Sequence, residues 1–272
     1  MKTAMKLVLF GLVLGGLTLT SCKKEDNQIT NPNGAFKVRM TDAPADYEAL
    51  NLSVVSVEAY NESSGWIMLN SQTQSFNVLD LNNGVETTLA YNAEMEAGSY
   101  SMIRLRFASQ ASLTEQHAVT IGGLTTTSSV SSNLQWSGPT EIIIPISARV
   151  SSSQSADILL DFNVAQSIIE SGQNHLIKPM IEVVENESTG VEGSIQGAAQ
   201  ALVQINAGGT TLSSYINAQG EFLLRGLEPG SYTLHIIPSE ADVLAGAPEE
   251  FTVSNVSVSE GRITNAGSIK IF

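Results

Sequence analysis

The sequence predicts an all-β protein: two β-sandwich domains in series behind an N-terminal export signal. Three observations carry that expectation. From Phe36 onward, short runs alternating apolar and polar residues recur with Gly, Asn, Ser and Pro between them, the pattern of strands and turns. Charged residues make up only 15% of the chain, below the roughly 25% usual in soluble domains, so Ser, Thr, Asn and Gln must carry the polar surface. Past the N-terminal segment, the helical pattern is confined to Val164 to Glu170, stopped by Gly172.

The N-terminus reads as an address and an anchor. Two lysines precede an apolar or small run from Leu7 to Leu19, which as a helix spans about 20 Å, too short for a hydrocarbon core of about 30 Å. It therefore reads as the apolar region of a signal peptide over residues 1–21. The run ends in Leu19-Thr20-Ser21-Cys22, which resembles a lipobox. A thiol can take a diacylglyceryl group as a thioether, and each buried CH₂ then contributes about 0.8 kcal/mol of anchoring. Cys22 is the single cysteine, so no internal disulfide is available, and lipidation accounts for its sulfur. Residues 22–33 form the lipidated cysteine and a polar tether that reaches at most roughly 35–40 Å. Lys23 directly after the cysteine resembles lipoproteins sent to the outer membrane. The pair Glu25-Asp26 resembles surface-export tags of Bacteroidota lipoproteins. The expected location is the outer membrane, lipid-anchored, on its periplasmic or outer side.

Residues 34–187 are expected to form the first domain. Phe36–Met40 and Leu52–Ala59 alternate, and the change of parity at Val54-Val55 predicts a bulge. Further strands are expected at 66–69, 75–79, 100–107, 118–121, 141–150, 157–162 and 176–184. Asn61 to Gly65 and Ala97-Gly98 read as turns, and Ser151–Ser155 as a polar loop. The Ser/Thr-rich stretch Gly122–Gly138 reads as a long loop or irregular edge. After Asn186-Glu-Ser-Thr-Gly190 the texture changes. Residues 188–272 give about seven compact strands, at 191–195, 202–206, 211–216, 222–225, 232–238, 250–258 and 262–271.

The first domain carries, in order, Thr41-Asp42-Ala43-Pro44, Leu79-Asp80-Leu81 with Asn83-Gly84, Ala97-Gly98-Ser99-Tyr100, Leu160-Asp161-Phe162 and Lys178-Pro179. In these it resembles a domain-of-unknown-function family common in Bacteroidota lipoproteins, which implies a β-sandwich and no catalytic residues. The second domain carries Val191-Glu-Gly193-Ser-Ile195 and Gly220-Glu-Phe222, followed by Gly226-Leu227-Glu-Pro229-Gly230-Ser-Tyr232. It resembles the carboxypeptidase regulatory-like (transthyretin-like) module, which implies an accessory or spacer sandwich. Asn217 stands where that motif often has Asp. Pro229-Gly230 reads as a type II turn with glycine at the position that requires it.

Charge and motif content argue against several functions. The formal net charge is −14, or about −16 without Lys2 and Lys6, a field that repels nucleic-acid phosphates. His117, His175 and His235 form no metal-binding spacing, and no second cysteine exists. Neither a G-x-S-x-G nucleophile turn nor a glycine-rich phosphate loop occurs. Asp157 and Asp161 share a strand face, but roughly 13 Å apart along a flat strand, beyond the roughly 5–10 Å that glycosidase pairs need.

The candidate binding residues are few. Trp136, in a polar stretch before Gly138-Pro139, is the better ligand platform, and Tyr60 is a second stacking candidate. Trp66 starts a strand and reads as core. Asp42 reads as an Asx-turn residue or as a ligand or cation contact. Asp80 and Asn82 offer oxygens that begin a Ca²⁺ loop but lack the later acidic ligands, so a tight turn explains them as well. The expectation is a non-catalytic envelope lipoprotein without cofactor, held to the membrane by its lipid and binding or displaying a glycan or protein partner. The alternatives are an assembly subunit of a surface complex and, less favoured, a hydrolase of polysaccharides.

Overall fold

Alternation at Phe36, Val38 and Met40 makes the first strand, and burial of all three side chains shows which face meets the core. The computed structural model describes residues 33–121, 124–171 and 174–272. The expected signal peptide, Cys22 and the tether up to Pro32 lie outside the described residues. The first sandwich comprises β1 (Gly34–Ala43), β2 (Ala49–Asn61), β3 (Gly65–Asn70), β4 (Gln74–Asn77), β5 (Thr87–Met95), β6 (Gly98–Phe107) and β7 (Ala111–Ile121). It continues with β8 (Leu124–Trp136), β9 (Glu141–Val150), β10 (Ala156–Asn163), α1 (Val164–Ser167), β11 (Ile168–Ser171), β12 (Asn174–Ile177) and β13 (Ile181–Val183). One sheet runs β13-β10-β1-β5, with β1 and β10 parallel. The other runs β11-β12-β8-β7-β2-β6-β9, with β3 and β4 also paired to β2. Phe36 of the first sheet meets Tyr100 of the second edge-on at 5.1 Å, inside one continuous apolar core.

The second sandwich comprises β14 (Gly190–Gln196), β15 (Ala201–Ala207), β16 (Thr210–Tyr215), β17 (Glu221–Arg225), β18 (Gly230–Pro238), α2 (Glu240–Leu244), β19 (Phe251–Val258) and β20 (Ile263–Lys270). Sheets β17-β14-β20 and β16-β15-β18-β19 enclose a separate core that includes Val191, Val203, Phe222 and Ile236. The chain is thus nearly all β, as expected. No helix among the described residues is long and apolar enough to cross a membrane.

Several local expectations need correction. The stretch read as a loop at 122–138 contains β8, which pairs with β7 from Ala111↔Leu134 to Ile121↔Leu124. Residues 126–133 of β8 are exposed, so no apolar alternation marks them, and the strand rests on Ser/Thr propensity and pairing. Helix 164–170 shrinks to the single turn α1, because Ile168 and Ile169 pair instead with Ile177 and Leu176. Leu176–Val184 is broken near Pro179, which has no N–H to give a ladder. Strand β5 went unread because Leu89 and Ala90, neighbours in sequence, are both buried, where β1 and β5 shift register at Val38/Arg39. The expected bulge in β2 is present, as a register shift between Val54 and Ser56 against β6. Gly230 does not take the left-handed conformation that a type II turn demands; Gly226 does, at φ +80°. Asn217 serves as its motif position requires, its side-chain oxygen accepting the Gln219 and Glu221 N–H groups at 2.9 Å.

The two sandwiches meet across an ion cluster on the face of β1 opposite the core. Arg39, 8% exposed, donates from Nε to Asp157 (2.7 Å), from Nη1 to Glu86 (2.6 Å) and from Nη2 to both oxygens of Glu187 (2.7 and 2.9 Å). Glu86 in turn accepts from Arg225 of the second sandwich. Burial alone would raise the Glu86 carboxyl, but Arg39 and Arg225 hold it below its ordinary value. Beside the cluster, Gly84 at φ +76° lies so close to Leu223 that a Cβ there would sit 2.6 Å from it. Arg39→Ala would leave Glu86, Asp157 and Glu187 as neighbouring like charges, at an expected cost of about 2–4 kcal/mol in denaturant unfolding. Arg39→Lys should recover only part of it, since an ammonium cannot reproduce the fork. A change under about 0.5 kcal/mol in Arg39→Ala would show the cluster to be ornamental.

Candidate functional site

The residues singled out from sequence fall in four separate places. Asp42 lies on the core-facing side of β1, 5% exposed, and neither carboxylate oxygen has a hydrogen-bond partner. The expected Asx-turn bonds are therefore not made. Register explains this: Asp42 pairs with Phe162 and continues the row Phe36, Val38, Met40, so its side chain points inward. Burial pushes Asp42 up to about 9, the Asp161 charge adds to this, and the nearby Val164 N–H opposes it. Asp161 is raised to about 6 by burial and by Glu182, against the pull of the Ala43 N–H. Asp157, the other aspartate of that strand, is spent on Arg39.

Tyr60 and Trp66 sit side by side on the outward face of the β3-β2-β6 sheet, edge-on at 5.3 Å. Trp66 is not core, because Tyr60↔Trp66 pairing sends it outward while Leu69 turns in. The Arg104 guanidinium carbon lies 4.1 Å from the centre of the Trp66 ring, and Arg104 also donates to Glu58. Trp136 shares the inward face of Leu134. It is half-buried, 5.5 Å from the Phe107 ring, and its indole N–H donates to the Ser109 carbonyl at 3.0 Å. It braces a loop with one ring face committed to packing. Asp80 accepts from the Asn77 amide at 2.9 Å, and Asn82 donates to the Leu79 carbonyl at 2.6 Å, closing a single 3₁₀ turn. No group of three or more His, Cys, Asp or Glu side chains suited to a metal occurs among the described residues. His175 faces Glu115 at 3.6 Å and His235 faces Glu250 at 2.5 Å, in different sandwiches.

One recess of the described residues has no counterpart among the residues singled out from sequence. It is a cleft of about 670 Å³ on the outward face where β4, β2, β7 and β8 lie side by side. Strand parity builds it. Leu50, Leu52, Leu113 and Leu134 are buried, so their neighbours Asn51, Ser53, Ser112 and Asn133 point out. Ser75, Phe76 and Asn77 of β4, the loop residues Ser109 and Gln110, and the apolar floor of Leu52, Ala111 and Leu134 complete the lining, and none of the lining residues is charged. Strands β6 and β7 follow one another along the same edge of β2, interrupted at Ala108–Gln110. The Ala108 N–H donates to the Ser53 carbonyl at 2.8 Å and holds that interruption in place. Ser53 and Ser75 hydroxyls bond at 2.7 Å, and the Asn51 amide reaches Ser112 Oγ at 3.4 Å. Each of these residues, taken alone, is an ordinary surface position, so no local pattern marks them. The available signal was the run of neutral amides and hydroxyls at outward strand positions.

A second recess, of about 580 Å³, lies between Asn83 and the outward face of β17-β14-β20. Its amides are already bonded to its own carboxylates and backbone. The Asn83, Asn217 and Asn265 amides donate to the Glu221 carbonyl, the Glu221 carboxylate and Glu192, at 2.9, 2.9 and 3.3 Å.

The family profile described as Domain of unknown function (DUF4382) matches residues 33–179, more than half of the chain. No curated protein matches the chain in sequence. Among solved structures, the Bacillus anthracis TIE protein is similar at 12% identity and a TM-score of 0.23, over 87% of this chain and 40% of its own. The chain therefore spans less than half the length of the TIE protein. The shaft pilin SpaA of Lactobacillus rhamnosus GG is similar at 8% identity and a TM-score of 0.23, over 88% of this chain and 96% of its own.

The buried Asp42 carboxyl yields a prediction whose sign is fixed by linkage. Its folded pKa of about 9 exceeds its ordinary value of 3.8, so the folded state holds the proton more tightly. Its contribution is full below pH 4 and is lost as pH rises toward about 9. Asp42→Asn, which stays neutral throughout, should match the parent near pH 4 and exceed it by about 2 kcal/mol or more at pH 8. Parallel stability–pH curves for the two proteins would contradict it.

Proposed function

The chain belongs to the DUF4382 family, a domain of unknown function, and from that premise we propose a non-catalytic cell-envelope lipoprotein. In this reading it is anchored at the outer membrane through lipid on Cys22, and it binds or displays a ligand, a glycan or a surface protein, at a distance from the bilayer. The observation that carries the binding role is the uncharged, outward-facing cleft on β4, β2, β7 and β8. The Leu19-Thr20-Ser21-Cys22 sequence supports the anchor, because two or three acyl chains hold a protein where one does not. The Arg39 cluster supports display: it ties the second sandwich to the first, so the body moves on its tether as one piece. The second sandwich acts as the spacer or docking module that its resemblance to carboxypeptidase regulatory-like domains implies.

One observation favours a second reading, a subunit of a surface assembly. Apart from β12 at Gln135 and Trp136, no strand among the described residues pairs with the outer edge of β8. An exposed edge without proline or charge is a template for strand addition.

Metabolic labelling with palmitate should mark the protein, and Cys22→Ala should lose both the label and fractionation with envelopes. An unlabelled polypeptide, or a Cys22→Ala protein that stays with envelopes, contradicts the anchored reading. The detergent-solubilised chain should sediment as a monomer. Concentration-dependent oligomers abolished by Val130→Lys would favour the assembly reading instead.

A further inference from the structure

We infer that the cleft on β4, β2, β7 and β8 is a subsite for a neutral polysaccharide, which deepens the binding role proposed above and rests on it. The first argument is electrostatic. A chain of formal charge −14 has 27 acidic residues to place, yet none of them lines this cleft. An anionic polymer would meet the field of the whole protein without a cation to receive it. A cationic one would find no carboxylate in the lining, and a wholly apolar ligand could use the floor of Leu52, Ala111 and Leu134 only by stripping water from the surrounding amides and hydroxyls without replacing the lost bonds. A sugar hydroxyl both donates and accepts, as do Ser hydroxyls and Asn or Gln amides, so the lining and a neutral glycan are matched group for group.

The second argument is organisation. The Ser53–Ser75 and Asn51–Ser112 bonds fix four of the lining groups before any ligand arrives, which lowers the ordering cost of binding. The Gln110 and Asn133 amides, the first lying two residues before Ser112 and the second on its cross-strand partner, make no hydrogen bond among the described residues, and both are exposed. They are the groups left to bond a ligand. Phe76, paired with Leu52, packs against the core and backs the cleft from within rather than facing a ligand. The outward face of β7 and β8 continues the theme past Ser112 and Asn133, where Thr114 and Ser131 hydroxyls bond at 2.8 Å. An extended row of neutral groups fits a polymer better than a single sugar. Trp136 then acts as a positioning residue, its indole N–H holding Ser109 beside the cleft.

Isothermal titration of the full chain, in a detergent without a sugar headgroup, tests this with dextran, mannan, arabinoxylan and polygalacturonate. At least one neutral polymer should bind, with affinity unchanged from about 50 to about 500 mM salt. Gln110→Ala/Asn133→Ala should weaken that binding by about tenfold or more without moving the Tm. Trp136→Phe, which keeps the ring packing and loses the indole donor, should weaken it less. Binding to none of the neutral polymers, binding to polygalacturonate alone, or full affinity in the double variant would overturn the inference. Palmitate labelling through Cys22 with no polymer bound would overturn it while leaving the anchored reading intact. Polymer binding by an unlabelled protein would do the reverse.

Discussion

The guanidinium of Arg39 is a charge taken almost wholly out of water and met by three carboxylates, and the relation between the two sandwiches depends on it. Burial works against its charge, and the hydrogen bonds it donates to Asp157, Glu86 and Glu187 outweigh that cost and raise its pKa. All three donor directions of the fork are used, the condition under which a buried ion offsets its desolvation. The partners come from different parts of the chain: β10, the segment before β5, and the connection between sandwiches. Arg225 reinforces the cluster from the second sandwich, but its Nε is buried without a partner, so it is the less well matched of the two.

Strand β1 shows how one sequence pattern serves two ends. Phe36, Val38 and Met40 point into the core, and Lys37 and Arg39 point toward the acidic partners. The same alternation brings Asp42 onto the apolar side, where burial raises its pKa. A strand that carries an inward carboxyl and an outward buried arginine is poorly optimised for stability alone.

Much of this was legible in the sequence. Strands with one dry and one wet face announce themselves by period two, and all seven strands of the second sandwich were read that way. The bulge in β2 showed as a change of parity. What stayed hidden had a common cause. Strand β8 is exposed on both faces from Thr126 to Asn133, β5 has adjacent buried residues, and the Ile168-Ile169 pair reads equally as helix or strand until β12 is placed beside it. The Arg39 cluster joins residues up to 148 positions apart, and no local pattern encodes such a meeting. The cleft was hidden for a related reason. Its residues are unremarkable singly and gain meaning only when four strands set them side by side, whereas Trp136 and Tyr60 drew attention by type and are largely committed to packing.

The cleft and the cluster belong to one body in which the two sandwiches are tied together. The central claim, that the sandwiches form one rigid unit, is open to direct measurement. Spin labels placed at exposed Ser147 and Ser254, one on each sandwich, report the spread of inter-sandwich distances by double electron–electron resonance. The Arg39 cluster predicts a single narrow distribution that broadens in Arg39→Ala. A broad or multimodal distribution in the parent chain would contradict the account, since the two sandwiches would then move independently.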